Sequence, residues 1–449
     1  MSKILRVLSV MLCIILVLSL SACGSKSKDT TSGNTDNNQQ SQQTEDKKEE
    51  NQNKGPVKLK LLTISSDESR QRIMDEYIKP NVGKVLPHVE IEYEGTANVA
   101  DKMKVYNSSG DLPDVWYSGA DFALPIINAG NQLDLEPYMK EDGYLEKFKI
   151  KDALYFRGKI YAISSGADAY FNPRIFYHKD IFASNNIEVP TTFDEFVEVC
   201  KKLVNAGIQP IATPGKGGWA PGFFLLQNMI MIEDPEVAQQ IVDNKTDFAN
   251  PVIKNAADRI VQLAKIGAFG QGAANLDYGP AKELFVQNKA AMYMMMTWEL
   301  PDLEANVPDL DFFLWPKASD KFDPNKVVQY WGSPLAGYAV YSKSANLEDA
   351  IKLAEFCCEQ DALFFESTGS LISFNTGNQM AELKPIQKKN VEHFENTTTR
   401  IATYHLNALD TKCATEHSNL GANLMTGDYS AEQFVEDFNK VWLENTWFD

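Results

Sequence analysis

"IFYHKDIFASNNIEVPTTFDEFVEVCKKLVNAGIQPIA", Ile175 to Ala212, holds a complete strand–helix–strand unit. Ile175–His178 is a short apolar run that ends at charged Lys179 and Asp180, the pattern of a buried strand. Thr192-Phe193-Asp194-Glu195 is a capping box, in which the Thr hydroxyl and the Glu carboxylate each satisfy an amide of the first helical turn. The helix it opens carries Phe196, Val199, Cys200 and Leu203 on one face. Ile208–Ala212 reads as the next strand. The same alternation runs outward in both directions. Val57–Ile64 reads as a strand and Asp67–Ile78 as a helix, with Ile73 and Tyr77 one turn apart. Val89–Tyr93 alternates apolar residues with Glu, as a half-exposed strand does. Pro251–Ile266 has helical spacing, and Ala290–Met296 is a continuous apolar strand. The chain closes on a helix bearing Phe434, Phe438, Val441 and Trp442. Strands alternating with helices predict α/β layers with mostly parallel sheets. At 449 residues the chain exceeds what one core holds, so at least two lobes are expected.

The formal net charge is -18. The first 22 residues carry only Lys3 and Arg6 as charges, so the remainder is more acidic still. Such a body is repelled by nucleic acid and by anionic lipid, and neither is expected as a ligand. Lys3 and Arg6 are followed by the apolar run Val7–Leu20, too short to span a bilayer, and then by Ser21-Ala22-Cys23-Gly24. This is the layout of an export signal, residues 1–22. Its end resembles a bacterial lipobox, which makes Cys23 the lipidated first residue of the mature chain and a two-chain membrane anchor. Residues 23–55 have no apolar cluster able to nucleate a core and read as a disordered tether. The folded part is thereby placed on the outer side of the membrane.

Cys13 falls in the signal. Cys200, Cys357, Cys358 and Cys413 have no disulfide-framework spacing and are expected to be buried thiols. Cys413 and His417, with His405 upstream, are too scattered to predict a metal site, and "MYMMM" (Met292–Met296) reads as core. No cofactor is expected. No metalloprotease, serine-hydrolase or EF-hand motif occurs. An exported glycoside hydrolase, with two carboxylates across a sugar cleft, remains the enzyme alternative.

In open α/β sheets, ligands bind beyond the carboxyl ends of strands. The chain has 24 Phe, 17 Tyr and 7 Trp, so most aromatics must be core and position has to single out the rest. Trp116 and Tyr117 end a strand ahead of a Ser-Gly turn and point to opposite faces. Trp116 is expected to face the ligand and Tyr117 the core. Asp121 beyond the turn can accept from a hydroxyl or begin a helix. Asp67 and Glu68 follow the first strand, with a helix cap as the competing role. Trp219, after Gly215-Lys216-Gly217-Gly218, and Trp331, before Gly332-Ser333-Pro334, lie at similar junctions.

Gly158-Lys159-Ile160-Tyr161-Ala162, Ile175–Phe182 and Pro190–Phe196 occur in an order that resembles the sugar-binding, maltose-type solute-binding proteins of bacterial ABC importers. Asn288-Lys289-Ala290-Ala291-Met292 with Trp298, and Gly369-Ser370-Leu371-Ile372, are similar to later segments of that family. The resemblance covers Val57 to Asp449. His178, Thr297 and Ser164-Ser165 depart from the family's usual Asn, Gly and Pro. The resemblance implies a two-lobed, type II periplasmic-binding-protein-like fold, hinged between its lobes. Residues 56–168 with 293–336 are expected in one lobe and 169–292 with 337–449 in the other. Crossings are expected near Gly166–Tyr170, Met292–Met296 and Pro334–Tyr338. It further implies that Trp298 stacks on sugar and that Tyr170 faces the cleft. The expected partners are a carbohydrate, an oligosaccharide in particular, and a separate permease, with the receptor acting as a monomer. A non-sugar solute is the alternative within the same fold.

Overall fold

The computed structural model describes residues 56–448 apart from 66–67, 219, 369 and 379–381. Cys23, Asp67 and Trp219 therefore lie outside the described residues. The strands are β1 Val57–Ile64, β2 Val89–Thr96, β3 Val115–Ser118, β4 Pro173–His178, β5 Gln209–Ala212, β6 Ala290–Met296, β7 Leu310–Phe313, β8 Val327–Tyr330, β9 Gly337–Val340 and β10 Thr399–Ala402. The longer helices are α1 Val99–Ser109, α2 Ala120–Asn128, α3 Phe193–Asn205, α4 Pro251–Lys265, α5 Tyr278–Val286, α6 Leu347–Ser367, α7 Pro385–Asn396, α8 Thr411–Leu424 and α9 Ala431–Trp442. Two four-stranded sheets, ordered β2-β1-β3-β9 and β5-β6-β4-β7, form the centres of two lobes, and β10-β8 makes a small third sheet.

In the first sheet, β1 pairs in parallel with β2 and β3, while β9 runs antiparallel to β3. Strand alternation divides its residues between two cores. Leu61, Val115 and Val340 face one core with Ile73 and Ile351. Leu62, Trp116 and Ala339 face the other, under Val99 and Met103 of α1 and Phe122 and Ile126 of α2. The second sheet is built around β6, whose seven residues are all buried because packed elements cover both of its faces. The capping box of α3 forms as its spacing predicts: the Glu195 amide donates to Thr192 Oγ1 at 3.3 Å and the Thr192 amide to Glu195 Oε2 at 3.1 Å.

Two expectations need correction. The second sheet is mixed, not mostly parallel: β4 is antiparallel to both β6 and β7, and only β5–β6 is a parallel pair. Residues 293–336 do not all join the first lobe, nor 337–449 the second. β6 and β7 pair inside the second sheet, whereas β9 pairs with β3 and α6 packs in the first core. The physical reason is continuity. Met292–Met296 is the middle and end of one strand, and a chain cannot change sheets inside a hydrogen-bonded ladder. The actual passages are breaks in the pairing. One lies between Ile163, bridged to Tyr338, and β4; one between β8 and β9; one between Phe374, bridged to Phe148, and α7.

All four expected thiols, Cys200, Cys357, Cys358 and Cys413, are free and buried. Among the described residues no helix is long and apolar enough to cross a membrane.

Candidate functional site

Beyond Met296 the buried strand gives way to a single tight turn, Thr297–Glu299. Thr297 fastens that turn to the first passage between the lobes. Its hydroxyl donates to the Tyr170 carbonyl at 2.9 Å and accepts from the Asn172 amide at 2.9 Å, and its own amide donates to Asn172 O at 3.0 Å. The second passage is tied to the same place, because the Trp331 amide donates to the Phe171 carbonyl at 2.7 Å. These backbone ties bring three aromatic rings together. Trp298 meets Phe171 and Trp331 edge to face, each at 5.6 Å between ring centroids. Trp298 Nε1 donates to Tyr278 Oη at 2.8 Å, which fixes the indole plane. All three rings are half-buried, so apolar ring surface remains exposed where the lobes meet.

Two of the cavities at the junction lie beside these residues or between α2 and α8. A small one of about 90 Å³ adjoins the cluster, walled by Phe171, Trp298 and Leu300 of the second lobe and by Ser370 and Leu371 from the loop after α6. A larger one of about 330 Å³ opens between Asp121 of α2 and Thr411, Thr415 and Asn419 of α8, with Trp447 beside them. Its volume falls within the range of small-molecule sites, and its lining mixes apolar surface with a few hydroxyl, amide and carboxylate groups.

Residues 65–362 match the family described as bacterial extracellular solute-binding protein. The chain belongs to that family. A relative from Pyrococcus horikoshii, an uncharacterized ABC transporter extracellular-binding protein, is 23% identical over 52% of this chain and 59% of its own length, so the chain spans under two thirds of it. The multiple sugar-binding protein of Streptococcus mutans is 21% identical over 72% of this chain and 76% of its own. A solved chitin oligosaccharide binding protein superposes with a TM-score of 0.71 at 22% identity, covering 87% of this chain and 98% of that one, which establishes the shared fold.

Within this solute-binding protein the sequence-predicted residues divide. Trp298 and Trp331 come together as described, and Asp121 lines the larger cavity. Asp121 is not the helix cap, since Gly119 takes that position and Asp121 sits in the first turn. Its side chain is exposed, yet desolvation by its neighbours raises its carboxyl above the usual range. Tyr170 is buried, its ring 5.2 Å from Phe394, so it supports the first passage from beneath. Glu68 opens a short helix, Glu68–Arg72.

Trp116 is the clear correction. It is 0% exposed and packs under α1 and α2, whereas Tyr117 is the half-buried member of the pair. The Ser-Gly turn does follow, but Trp116 is still inside the ladder, opposite Ala339, and alternation sends it to the helix-covered face. Tyr117 points the other way, under the Arg70 guanidinium at 4.1 Å and edge-on to Tyr338 at 5.4 Å.

Trp447 was not anticipated. It follows the last helix, yet its ring packs 6.3 Å from Phe156 of the first lobe, and Arg157 donates to its carbonyl at 3.0 Å. The turn holding Arg157 explains the reach. Arg157 and Gly158 both have positive φ, 52° and 78°, and Phe156 and Lys159 exchange backbone hydrogen bonds, which is a type I′ hairpin. The aromatic pair Trp447-Phe448 beyond the helix pattern was the signal in the sequence.

Burial sets the protonation of nearby groups. Desolvation, helped by Asp302, pushes the Glu299 carboxyl up to about 7, even though Lys282 Nζ stands 3.3 Å away. Burial and His417 hold His405 well below the usual imidazole range. His417 is pulled down to about 3 by burial and meets Tyr404 Oη at 2.8 Å through Nε2. Both imidazoles are neutral core groups. No cluster of three metal-binding side chains occurs among the described residues. The glycine-rich stretch before Trp219 has a packing cause at Gly218, where an added Cβ would strike the Ser418 carbonyl at 1.6 Å.

Proposed function

We propose that this solute-binding protein captures a carbohydrate, most readily an oligosaccharide, between its lobes and delivers it to the permease of an ABC importer. The observation that carries the reading is the Phe171–Trp298–Trp331 cluster, a half-exposed aromatic surface fastened to two of the three inter-lobe passages. A pyranose has an apolar C–H face that suits such a surface and a rim of hydroxyls that suits Asp121, Thr411, Thr415 and Asn419. A relative named as multiple sugar-binding and a structural neighbour named as binding chitin oligosaccharide support the same class. The two-lobed fold supports hinge closure as the delivery step. A ligand touching both lobes binds the closed form better and shifts the equilibrium toward it. Cys23 would carry the lipid anchor and residues 24–55 the tether, holding a monomeric receptor on the outer face of the membrane. Replacing Cys23 by Ala should release the protein from the membrane fraction.

The direct test is a thermal-shift screen against mono- and oligosaccharides, peptides and polyamines. A ligand at a hundred times its dissociation constant stabilises by about 2.7 kcal/mol, well within detection. A shift with saccharides and none with the others supports the reading. Silence across saccharides with a shift for another class overturns it, and turnover of a glycoside would point to the hydrolase instead.

A further inference from the structure

The larger cavity is bordered by a segment that joins its two walls. Asp121 stands on one wall, at the start of α2, and Thr411 and Thr415 stand on the other, in the first turns of α8. The walls belong to different lobes. Phe122 and Ile126 of α2 pack on the first sheet, whereas Cys413 and Leu424 of α8 lie in the core of the second. Trp447 is part of the same lining, and residues 445–448 are fastened to both helices. Towards α8 the fastening is polar. Asn445 Nδ2 donates to the Ala408 carbonyl at 2.6 Å, and the Asp410 amide donates to Asn445 Oδ1 at 3.0 Å. The Thr446 amide and hydroxyl both donate to Asp410 Oδ2, each at 2.8 Å. Asp410 is also the N-cap of α8, its Oδ1 accepting from the Cys413 amide at 2.9 Å. One carboxylate thus starts the helix that bears Thr411 and holds the segment with its other oxygen.

Towards α2 the fastening is apolar. Trp447 is 4% exposed and packs in one cluster with Ala123 and Leu124 of α2, Phe156 and Leu335. Its indole N–H has no hydrogen-bond partner among the described residues, so the ring acts through carbon contact alone. Beyond it, the Phe448 ring lies 5.8 Å from the Arg157 guanidinium, which also donates to the Trp447 carbonyl. This hold on the first lobe consists of ring packing and one hydrogen bond, and releasing it breaks no strand pairing. It exists only while α2 and Asp410 keep their present separation, so it stabilises that arrangement against any in which the lobes part.

We propose that residues 445–448 are a releasable clasp across the ligand cavity, with Trp447 as its positioning residue: docked on α2 it holds the Asp121 and Thr411 walls together, and undocked it lets the lobes part. The proposal rests on the inter-lobe reading above for what occupies the cavity. A solute that reaches both walls favours the same separation as the docked clasp. Binding and docking therefore favour each other, and by the same factor. Trp447 acts on the ligand through the walls, because its ring is already packed against α2 and Phe156.

The test reads the separation of the lobes by single-molecule energy transfer between dyes at exposed Val85 and exposed Val189, one in each lobe. It is run without ligand and then with maltotriose and with chitotriose. In the ligand-free protein, Trp447→Ala should move the ratio of close to parted molecules about tenfold towards the parted form. Trp447→Phe should restore most of it, since the indole N–H is unused. Arg157→Asn is a surface change at φ 52°, a conformation Asn tolerates, and should give a smaller shift in the same direction. A saccharide that closes the unmodified protein should bind Trp447→Ala more weakly by up to the same tenfold, because apparent affinity falls with the competent fraction. A transfer distribution unchanged by Trp447→Ala in a protein that still melts cooperatively overturns the clasp, as does a Trp447→Phe protein no closer to the unmodified one than Trp447→Ala. If Trp447→Ala does not fold, Arg157→Asn decides, and an unchanged distribution there overturns it too. Failure of both saccharides to alter the unmodified protein counts against the carbohydrate reading alone, because the ligand-free comparison still decides the clasp.

Discussion

Trp116 and Trp298 both lie close to a strand-to-loop junction, one in each lobe, and their fates are opposite. Trp116 is the second residue of β3 and still paired with Ala339, so the pleat decides its direction and aims it beneath α1 and α2. Trp298 lies two residues past the end of β6, in a turn that Thr297 ties to the Tyr170–Asn172 passage. No ladder dictates its side, and it faces Phe171 and Trp331 at the junction of the lobes. A strand-end aromatic is thus placed by whether its backbone is still hydrogen-bonded to a neighbour, and the residue type alone does not reveal that.

Four substitutions sharpen or break this contrast. Trp116→Ala should cost about 3–5 kcal/mol of stability in denaturant unfolding, while the folded fraction keeps its affinity for ligand. A folded, ligand-blind Trp116→Ala protein would return Trp116 to the site. Glu299, beside Trp298, should make stability depend on pH. Its carboxyl is held near 7 when folded against an ordinary value of 4.5, so the folded state retains a proton that the unfolded state gives up. Stability from this group is therefore full below about 4.5 and declines as pH rises through about 7. The shift corresponds to at most about 3.4 kcal/mol, reduced by the Lys282 contact. Glu299→Gln should flatten the melting temperature across that window, and an unchanged slope would assign the dependence elsewhere.

Trp298→Ala should weaken ligand binding by roughly 30-fold, about 2 kcal/mol, with a smaller loss of stability than Trp116→Ala. The reverse ranking in unfolding experiments would make Trp298 the core residue. Tyr117→Leu is the mildest change. Loss of the Arg70 and Tyr338 ring contacts should cost about 1 kcal/mol, against the much larger cost at its neighbour Trp116.

What the sequence made legible follows the same division. Local chemistry was readable: the capping box of α3, the buried strand Ala290–Met296 and the four buried thiols all depend on residues near one another in the chain. Sheet order was not. β6 inserts between β4 and β5, so the unit from Ile175 to Ala212 that defines the fold class does not pair with itself. Nothing within that stretch could indicate a strand arriving from beyond residue 289. The site was half legible for the same reason. Trp298, Trp331 and Asp121 sit where chain breaks are visible, whereas Trp447 matters only through a partner hundreds of residues away, Arg157.

The Arg157–Trp447 tie has a practical consequence for anyone turning this receptor into a biosensor. A fluorescent protein fused directly after Phe448 would pull on the segment that rejoins the first lobe, and its signal would report strain in that strap along with ligand. A reporter pair anchored on exposed Val105 of α1 and exposed Val204 of α3 would leave the strap intact and sample one lobe each.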